Sequence, residues 1–210
     1  MARLSDASLD SAAPLLEGKK ICIIHGFDSH PRKNWFAWLA GKLREEGAIV
    51  DIPALPTPSA PKVDEWILAI QEAMRGLGSI DEESYFVAHS LGCIATLRAL
   101  ESMRAQDTST RIGGILCVAG FYEPLPILPE IDDFTKAPLQ AEQIIATARK
   151  RAVLAADDDE IVPVKWSENL ARAIDAELTK VAKGGHFMDS DGFTKLPIAL
   201  EILHSLVKKK

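Results

Sequence analysis

Tyr85-Phe86-Val87-Ala88-His89-Ser90-Leu91-Gly92 is the stretch on which the fold turns. Residues of strand character run without a break into a serine, and helical spacing begins at Leu91 and continues through Ile94. A strand that passes into a helix through one serine makes a very tight turn, the G-x-S-x-G nucleophile elbow. Such a turn leaves no room for bulk two positions before and two after the serine. Gly92 meets that demand, and Ala88 is the smallest substitute for glycine at the other position. The Ser90 hydroxyl then stands clear of the sheet, above the free N–H groups and partial positive charge of a helix N-terminus. A small-x-Ser-x-Gly pentapeptide is common by chance, so the rest of the chain has to decide.

Outward from the elbow, two patterns alternate. Short apolar runs recur at Ile21 to Ile24, Ala48 to Val50, Ile112 to Val118, Ala152 to Ala155 and Leu178 to Val181. Their length and β-branched content mark buried strands. Between them fall stripes with helical spacing: Trp35, Trp38, Leu39 and Leu43; Trp66, Ile70, Met74 and Leu77; Trp166, Leu170 and Ile174; and Leu196, Leu200 and Leu203 with Leu206 or Val207. The helix after Ser90 carries Arg98 and Glu101 in line with Leu91 and Ile94, which predicts that it turns outward there. Alternation repeated about six times predicts one mostly parallel sheet flanked by helices, an α/β fold.

Residues 1–18 are polar and small and read as a loose N-terminal arm, and residues 19–210 read as a single domain. Residues 120–139 break the rhythm. Four prolines forbid a long helix, and the segment still holds Phe121, Tyr122, Leu125, Ile127, Leu128 and Phe134. It is either a lid or pocket wall, or a surface loop stapled to the body by its apolar groups.

With 210 residues, 47% hydrophobic and 26% charged, the chain has ordinary globular composition and can bury a core without disulfide or metal staples. The net charge of −6 gives little help toward a polyanion, so nucleic acid is not an expected partner. Cys22, Cys93 and Cys117 lie in apolar stretches without disulfide or zinc spacing and read as buried free thiols of a reducing compartment. The N-terminal residues lack the apolar core of a signal peptide, and no run approaches the length of a membrane span. The expectation is a cytoplasmic protein without membrane association.

A serine hydroxyl becomes a useful nucleophile only when a base takes its proton, and that base needs an orienting acid. On a sheet with this elbow the order is serine, acid, histidine, each in a loop after a strand. His186, in Lys183-Gly184-Gly185-His186-Phe187, follows the last strand and is the predicted base. His204 sits inside the last helix and reads as solvated. The acid belongs to Asp157-Asp158-Asp159-Glu160-Ile161-Val162-Pro163, where Pro163 suits a helix start. Asp159 is favoured over Asp158, and Asp157 less so. Leu91 N–H, directly after the nucleophile, is one expected oxyanion donor, and Phe27 N–H in His25-Gly26-Phe27-Asp28-Ser29 is the other. His25 and His89 are expected to hold the loops of the site by hydrogen bonds.

Four of these pieces together resemble a known family. The His25-Gly26 loop with Trp35 after it, Ala88-His89-Ser90-Leu91-Gly92, Asp158-Asp159-Glu160-Ile161-Val162-Pro163 and Gly184-Gly185-His186-Phe187 occur in the order seen in the YdeN-like serine hydrolases. These are small α/β-hydrolases that include retinoblastoma-binding protein 9. The resemblance spans residues from about 19 to 207 and implies a compact α/β-hydrolase with Ser90, Asp159 and His186 as its triad. The family usually has Gly where this chain has Ala88, which touches only the fine geometry of the elbow.

The expected activity is hydrolysis of an ester or thioester of a small or medium acyl group, through an acyl-enzyme and with neither metal nor organic cofactor. Phe27, Trp35, Phe121 and Tyr122 are expected to line the pocket. No full cap domain fits between the strands, so the site is expected to be open or shallow. Two other readings stay open: a protein-binding scaffold with a vestigial triad, and an acyltransferase or peptidase using the same triad. Oligomeric state is not legible.

Overall fold

The predicted apolar runs all form strands in the computed structural model, which describes residues 15–208. The strands are β1 (Lys20–Ile24), β2 (Ile49–Asp51), β3 (Ser84–His89), β4 (Ile112–Val118), β5 (Ala148–Ala156) and β6 (Glu177–Val181). All neighbours pair in parallel, in the order β2-β1-β3-β4-β5-β6. Successive residues face opposite sides. Cys22, Ile24, Phe86, Ala88, Ile115 and Cys117 enter one apolar cluster, and Ile21, Ile23, Tyr85, Val87, Leu116 and Val118 enter the other. A parallel sheet covered on both faces needs such continuous apolar strands.

The helices are α1 (Phe36–Glu45), α2 (Val63–Gly76), α3 (Leu91–Gln106), α4 (Ala141–Thr147), α5 (Val164–Ala173) and α6 (Pro197–Val207). Chain order and handedness sort them. From β1 the chain steps one way to β2, then returns past β1 to β3 and continues to β6. Right-handed crossovers in opposite directions place their helices on opposite faces. Accordingly α1 packs with α6 on one face, and α2, α3 and α5 on the other. The direction of winding reverses between β1 and β3, and ligand sites of doubly wound sheets lie at that point, beyond the strand C-termini.

Two local expectations are revised, and the choice left open for residues 120–139 is decided. The helix after Ser90 does not turn outward: α3 is buried from Leu91 through Leu100, with Arg98 only 7% exposed. Arg98 lies under residues 120–139, where it donates to Phe134 O at 3.1 Å, Pro138 O at 3.2 Å and Ala137 O, and pairs with Glu101 at 2.9 Å. Those carbonyls replace water as its partners. The loop itself is of the stapled kind. Phe121, Leu125, Ile131 and Phe134 are buried in the core, and a short 3-10 helix spans Pro129–Phe134. His204 is only partly exposed and bonds Glu46 at 2.6 Å.

Residues 1–14 of the expected N-terminal arm lie outside the described residues. The remainder forms a turn whose Leu16 is fully buried against the sheet. Cys22, Cys93 and Cys117 are buried free thiols. Burial pushes the Cys22 and Cys93 thiols above their usual range, which keeps them unreactive. No helix among the described residues is long and apolar enough to cross a membrane.

Candidate active site

Ser90 is the single residue between β3 and α3. Its backbone has φ 54° and ψ −125°, a region that L-residues rarely enter. The strain is held by a hydrogen bond from Ser90 N to Val118 O at 2.9 Å and by the start of α3, where Cys93 N donates to Ser90 O. Close packing explains the small neighbours. A Cβ on Gly92 would fall 2.5 Å from His25 O and 2.8 Å from Ile24 O. Ala88 is fully buried. The loop after β1 presses against the elbow as well, since a Cβ on Gly26 would meet Ser90 Cβ at 3.0 Å and His89 O at 3.1 Å.

His25 fixes that loop. Its Nδ1–H donates to Gly26 O at 2.9 Å, and its Nε2 accepts from Leu55 N at 3.2 Å. These partners select the Nδ1–H tautomer. Burial holds the His25 pKa below its usual value. Leu91 N–H belongs to the first residue of α3, where no intrahelical acceptor exists. Phe27 lies beside Ser90 on the wall of the same cavity.

The acid and base come from the loops after β5 and β6. His186 Nδ1 lies 2.8 Å from Asp159 Oδ2, both side chains being nearly inaccessible. Asp159 Oδ1 accepts from Ile161 N and Val162 N, each at 2.9 Å, so one carboxylate oxygen anchors the loop while the other faces the imidazole. Pro163 follows as the cap of α5, in keeping with its predicted place. The neighbouring carboxylate has a different task. Asp158 Oδ1 accepts from Gly184 N at 2.8 Å and Gly185 N at 2.9 Å, and these bonds hold its pKa below the usual carboxylate range. The structure thus brings Asp159, and neither Asp158 nor Asp157, to the ring of His186.

Ser90 and His186 line one cavity of about 50 Å³ with Phe27, Ser29, Lys33 and Met188. No hydrogen bond joins the Ser90 hydroxyl to His186 in this arrangement; such bonds often form only when substrate is bound. Larger hollows lie elsewhere, one of about 700 Å³ beside β6 and α6, but none of Ser90, Asp159 or His186 reaches it. Size alone would select the wrong place.

The expected pocket wall needs correction. Trp35 and Phe121 are fully buried, and neither they nor Tyr122 line the cavity. Trp35 lies under the His186 turn, where its indole N–H donates to Phe187 O at 3.1 Å. Phe121 belongs to the core beside Gly120, whose carbonyl accepts from Ser167 Oγ at 2.8 Å. Tyr122 is half-buried against the same cluster. The polar residues Ser29, Lys33 and Asn34, and Asp191, were not foreseen. Asp191 Oδ2 accepts from His186 N and Met188 N. The first three sit in an irregular loop and Asp191 in a three-residue 3-10 helix, where neither periodicity nor spacing marks them.

Fold and site together define a serine hydrolase of the α/β-hydrolase architecture. The serine hydrolase family profile matches residues 21–205, and the chain belongs to that family. It is 40% identical over 192 residues to the protein YdeN of Bacillus subtilis, covering 91% of this chain and 98% of YdeN. The crystal structure of the B. subtilis ydeN gene product superposes with a TM-score of 0.84 at 39% identity, over 91% of this chain and all of that one. The serine hydrolase RBBP9 of Rattus norvegicus is 23% identical over 75% of this chain and 80% of its own. Est1E of Butyrivibrio proteoclasticus, at 16% identity, TM-score 0.63 and coverage of 91% and 86%, shares the fold.

Proposed function

We propose that this hydrolase cleaves esters or thioesters of small or medium acyl groups through Ser90, His186 and Asp159. The observation that carries the reading is the 2.8 Å contact between Asp159 Oδ2 and His186 Nδ1, on a cavity shared with an elbow serine of positive φ. Ser90 Oγ attacks the acyl carbonyl while His186 Nε2 takes its proton. Asp159 keeps the proton on Nδ1 and stabilises the imidazolium that forms. The N–H groups of Leu91 and Phe27 receive the developing oxyanion. Collapse expels the alcohol or thiol with the proton from His186 and leaves Ser90 acylated. Water, deprotonated by His186, then releases the acid and restores the serine.

The cavity supports the small acyl group. Enclosed ligand pockets typically measure about 300–1,000 Å³, whereas this one measures about 50 Å³. A short acyl chain fits beside Ser90, and the rest of the substrate lies outside. Three buried free thiols support a reducing, cytoplasmic setting.

Labelling by a fluorophosphonate probe tests the reading. The wild-type protein should label at Ser90, while Ser90→Ala should not label and Asp159→Asn and His186→Ala should label far more slowly. Aryl esters from acetate to octanoate should then show turnover falling with chain length. A folded wild-type protein that does not label would overturn the hydrolase mechanism and leave a binding scaffold. Faster turnover with amine or thiol acceptors than with water would make it a transferase.

A further inference from the structure

We propose that His89 is a positioning residue for His186, a buried neutral imidazole that clamps the backbone of the general base and leaves the catalytic proton to it. The proposal rests on the assignment of His186 as the base. His89 Nε2–H donates to the carbonyl of His186 at 2.8 Å, across 97 residues of sequence. The two rings are in tilted contact, with centroids 4.9 Å apart and planes inclined at 53°.

Three observations make this more than packing. The His186 turn carries strain at Phe187, whose φ is 55°, next to a left-handed Gly185, so it needs external restraint. That restraint comes from side chains of four separate segments. Asp158 takes the amides of Gly184 and Gly185, and Asp191 those of His186 and Met188. His89 and Trp35 donate to the two consecutive carbonyls of His186 and Phe187. Of these, only His89 also touches the ring of the base.

Geometry also fixes the charge of His89. Because Nε2 faces a carbonyl, it must carry the proton. Nδ1 is buried without a partner among the described residues, so a second proton there would find no acceptor. Trp35 and Phe36 of the adjoining segment wall the ring, with centroids 6.0 and 5.9 Å away. The titratable groups near it are His186 and His25, and neither offers a negative charge. Two adjacent imidazoles could compete for one proton. Here a single site, His186, has a carboxylate to receive the charge.

The test compares His89→Phe, which keeps a ring without a donor, with His89→Gln, which keeps a donor near the Nε2 position. The readouts are kcat and KM on an aryl acetate across pH, the fluorophosphonate labelling rate, and the downfield proton resonance of His186 Nδ1–H. His89→Phe should lower kcat about 10- to 100-fold with little change in KM, because a misplaced base slows chemistry rather than binding. It should also move the acid limb of the pH profile and broaden the His186 resonance, and His89→Gln should recover most of each loss. Should His89→Phe fail to fold, Trp35→Phe removes the adjacent clamp and should lower kcat in the same way, to a smaller extent. Wild-type kcat, pH profile and resonance in folded His89→Phe would overturn the proposal. So would an unrescued loss in His89→Gln with an unchanged His186 resonance. A wild-type protein that does not label overturns the hydrolase reading and this one with it, whereas a labelling wild type matched by His89→Phe overturns this one alone.

Discussion

His89 should make the folded protein acid-sensitive in a way that one substitution removes. Its ring is 3% exposed, and burial, aided by the nearby His186, pushes its pKa down from 6.5 to about 3. Between those values the unfolded chain binds a proton that the folded chain refuses. Stability rises with pH wherever the unfolded state holds more protons, and so drops on acidification. The contribution is complete above the unfolded pKa and drains away as pH falls toward the folded one. At about 1.4 kcal/mol per unit, a fall from about pH 7.5 to about pH 5 removes about 2 kcal/mol through His89. His25, also held low by burial, adds a loss of the same sign. Asp158, held low by the amides of Gly184 and Gly185, loses its contribution only below about pH 4, as pH drops through its folded value. Urea unfolding of wild type and His89→Gln across that range separates the terms, because glutamine has no proton to gain. With a slope of about 2 kcal/mol per molar, the wild-type midpoint should fall about 1 M further than that of the variant. Equal falls would refute the reasoning, since they would mean that the folded protein accommodates a charged His89.

Other outcomes follow from the same geometry. Asp159→Ala should lower kcat/KM by about 10⁴-fold, and Asp158→Ala, which frees the Gly184 and Gly185 amides but leaves the imidazole its acid, by about 10- to 100-fold; ester kinetics on both tell them apart. Gly26→Ala places a methyl 3.0 Å from Ser90 Cβ, so it should slow fluorophosphonate labelling while thermal unfolding changes little. Arg98→Ala strands the carbonyls of residues 134, 137 and 138 and should cost about 2–4 kcal/mol in urea unfolding, with kcat retained because that loop does not line the cavity.

What could be read beforehand divides along a physical line. Strand positions were legible because a doubly covered sheet demands unbroken apolar runs, and all six appeared within a few residues of their predicted places. The order of Ser90, Asp159 and His186 was legible because each stands in the segment that follows a strand, at the C-terminal edge of the sheet. Helix α3 misled because Arg98 and Glu101 carry charge, yet carbonyls of residues 134–138 accept from Arg98 and the Gln140 amide donates to Glu101, contacts more than thirty residues away that periodicity cannot register. The pocket wall misled for the opposite reason. Aromatic residues near a site look like substrate contacts, but Trp35 and Phe121 do more for the fold by filling space beneath the loops. Helix α4 escaped notice because its seven residues bury only Ile144 and Thr147, too little for a stripe.

The stapling of the long loop bears on selectivity. A segment of residues 120–139 that spends Phe121, Leu125, Ile131 and Phe134 in the core has little apolar surface left to fold over Ser90. The cavity wall is instead built of Phe27, Ser29, Lys33, Asn34 and Met188, mostly polar and carried on short loops. With about 25 cal/mol for each Å² of apolar surface buried, a site this small cannot draw much binding energy from an acyl chain. On the proposed mechanism, discrimination among substrates comes from placement of the carbonyl between Ser90 and the Leu91 and Phe27 amides. Rate on that mechanism depends on how rigidly His186 is held, and four separate segments restrain its turn of five residues while, among the described residues, no comparable structure encloses the cavity.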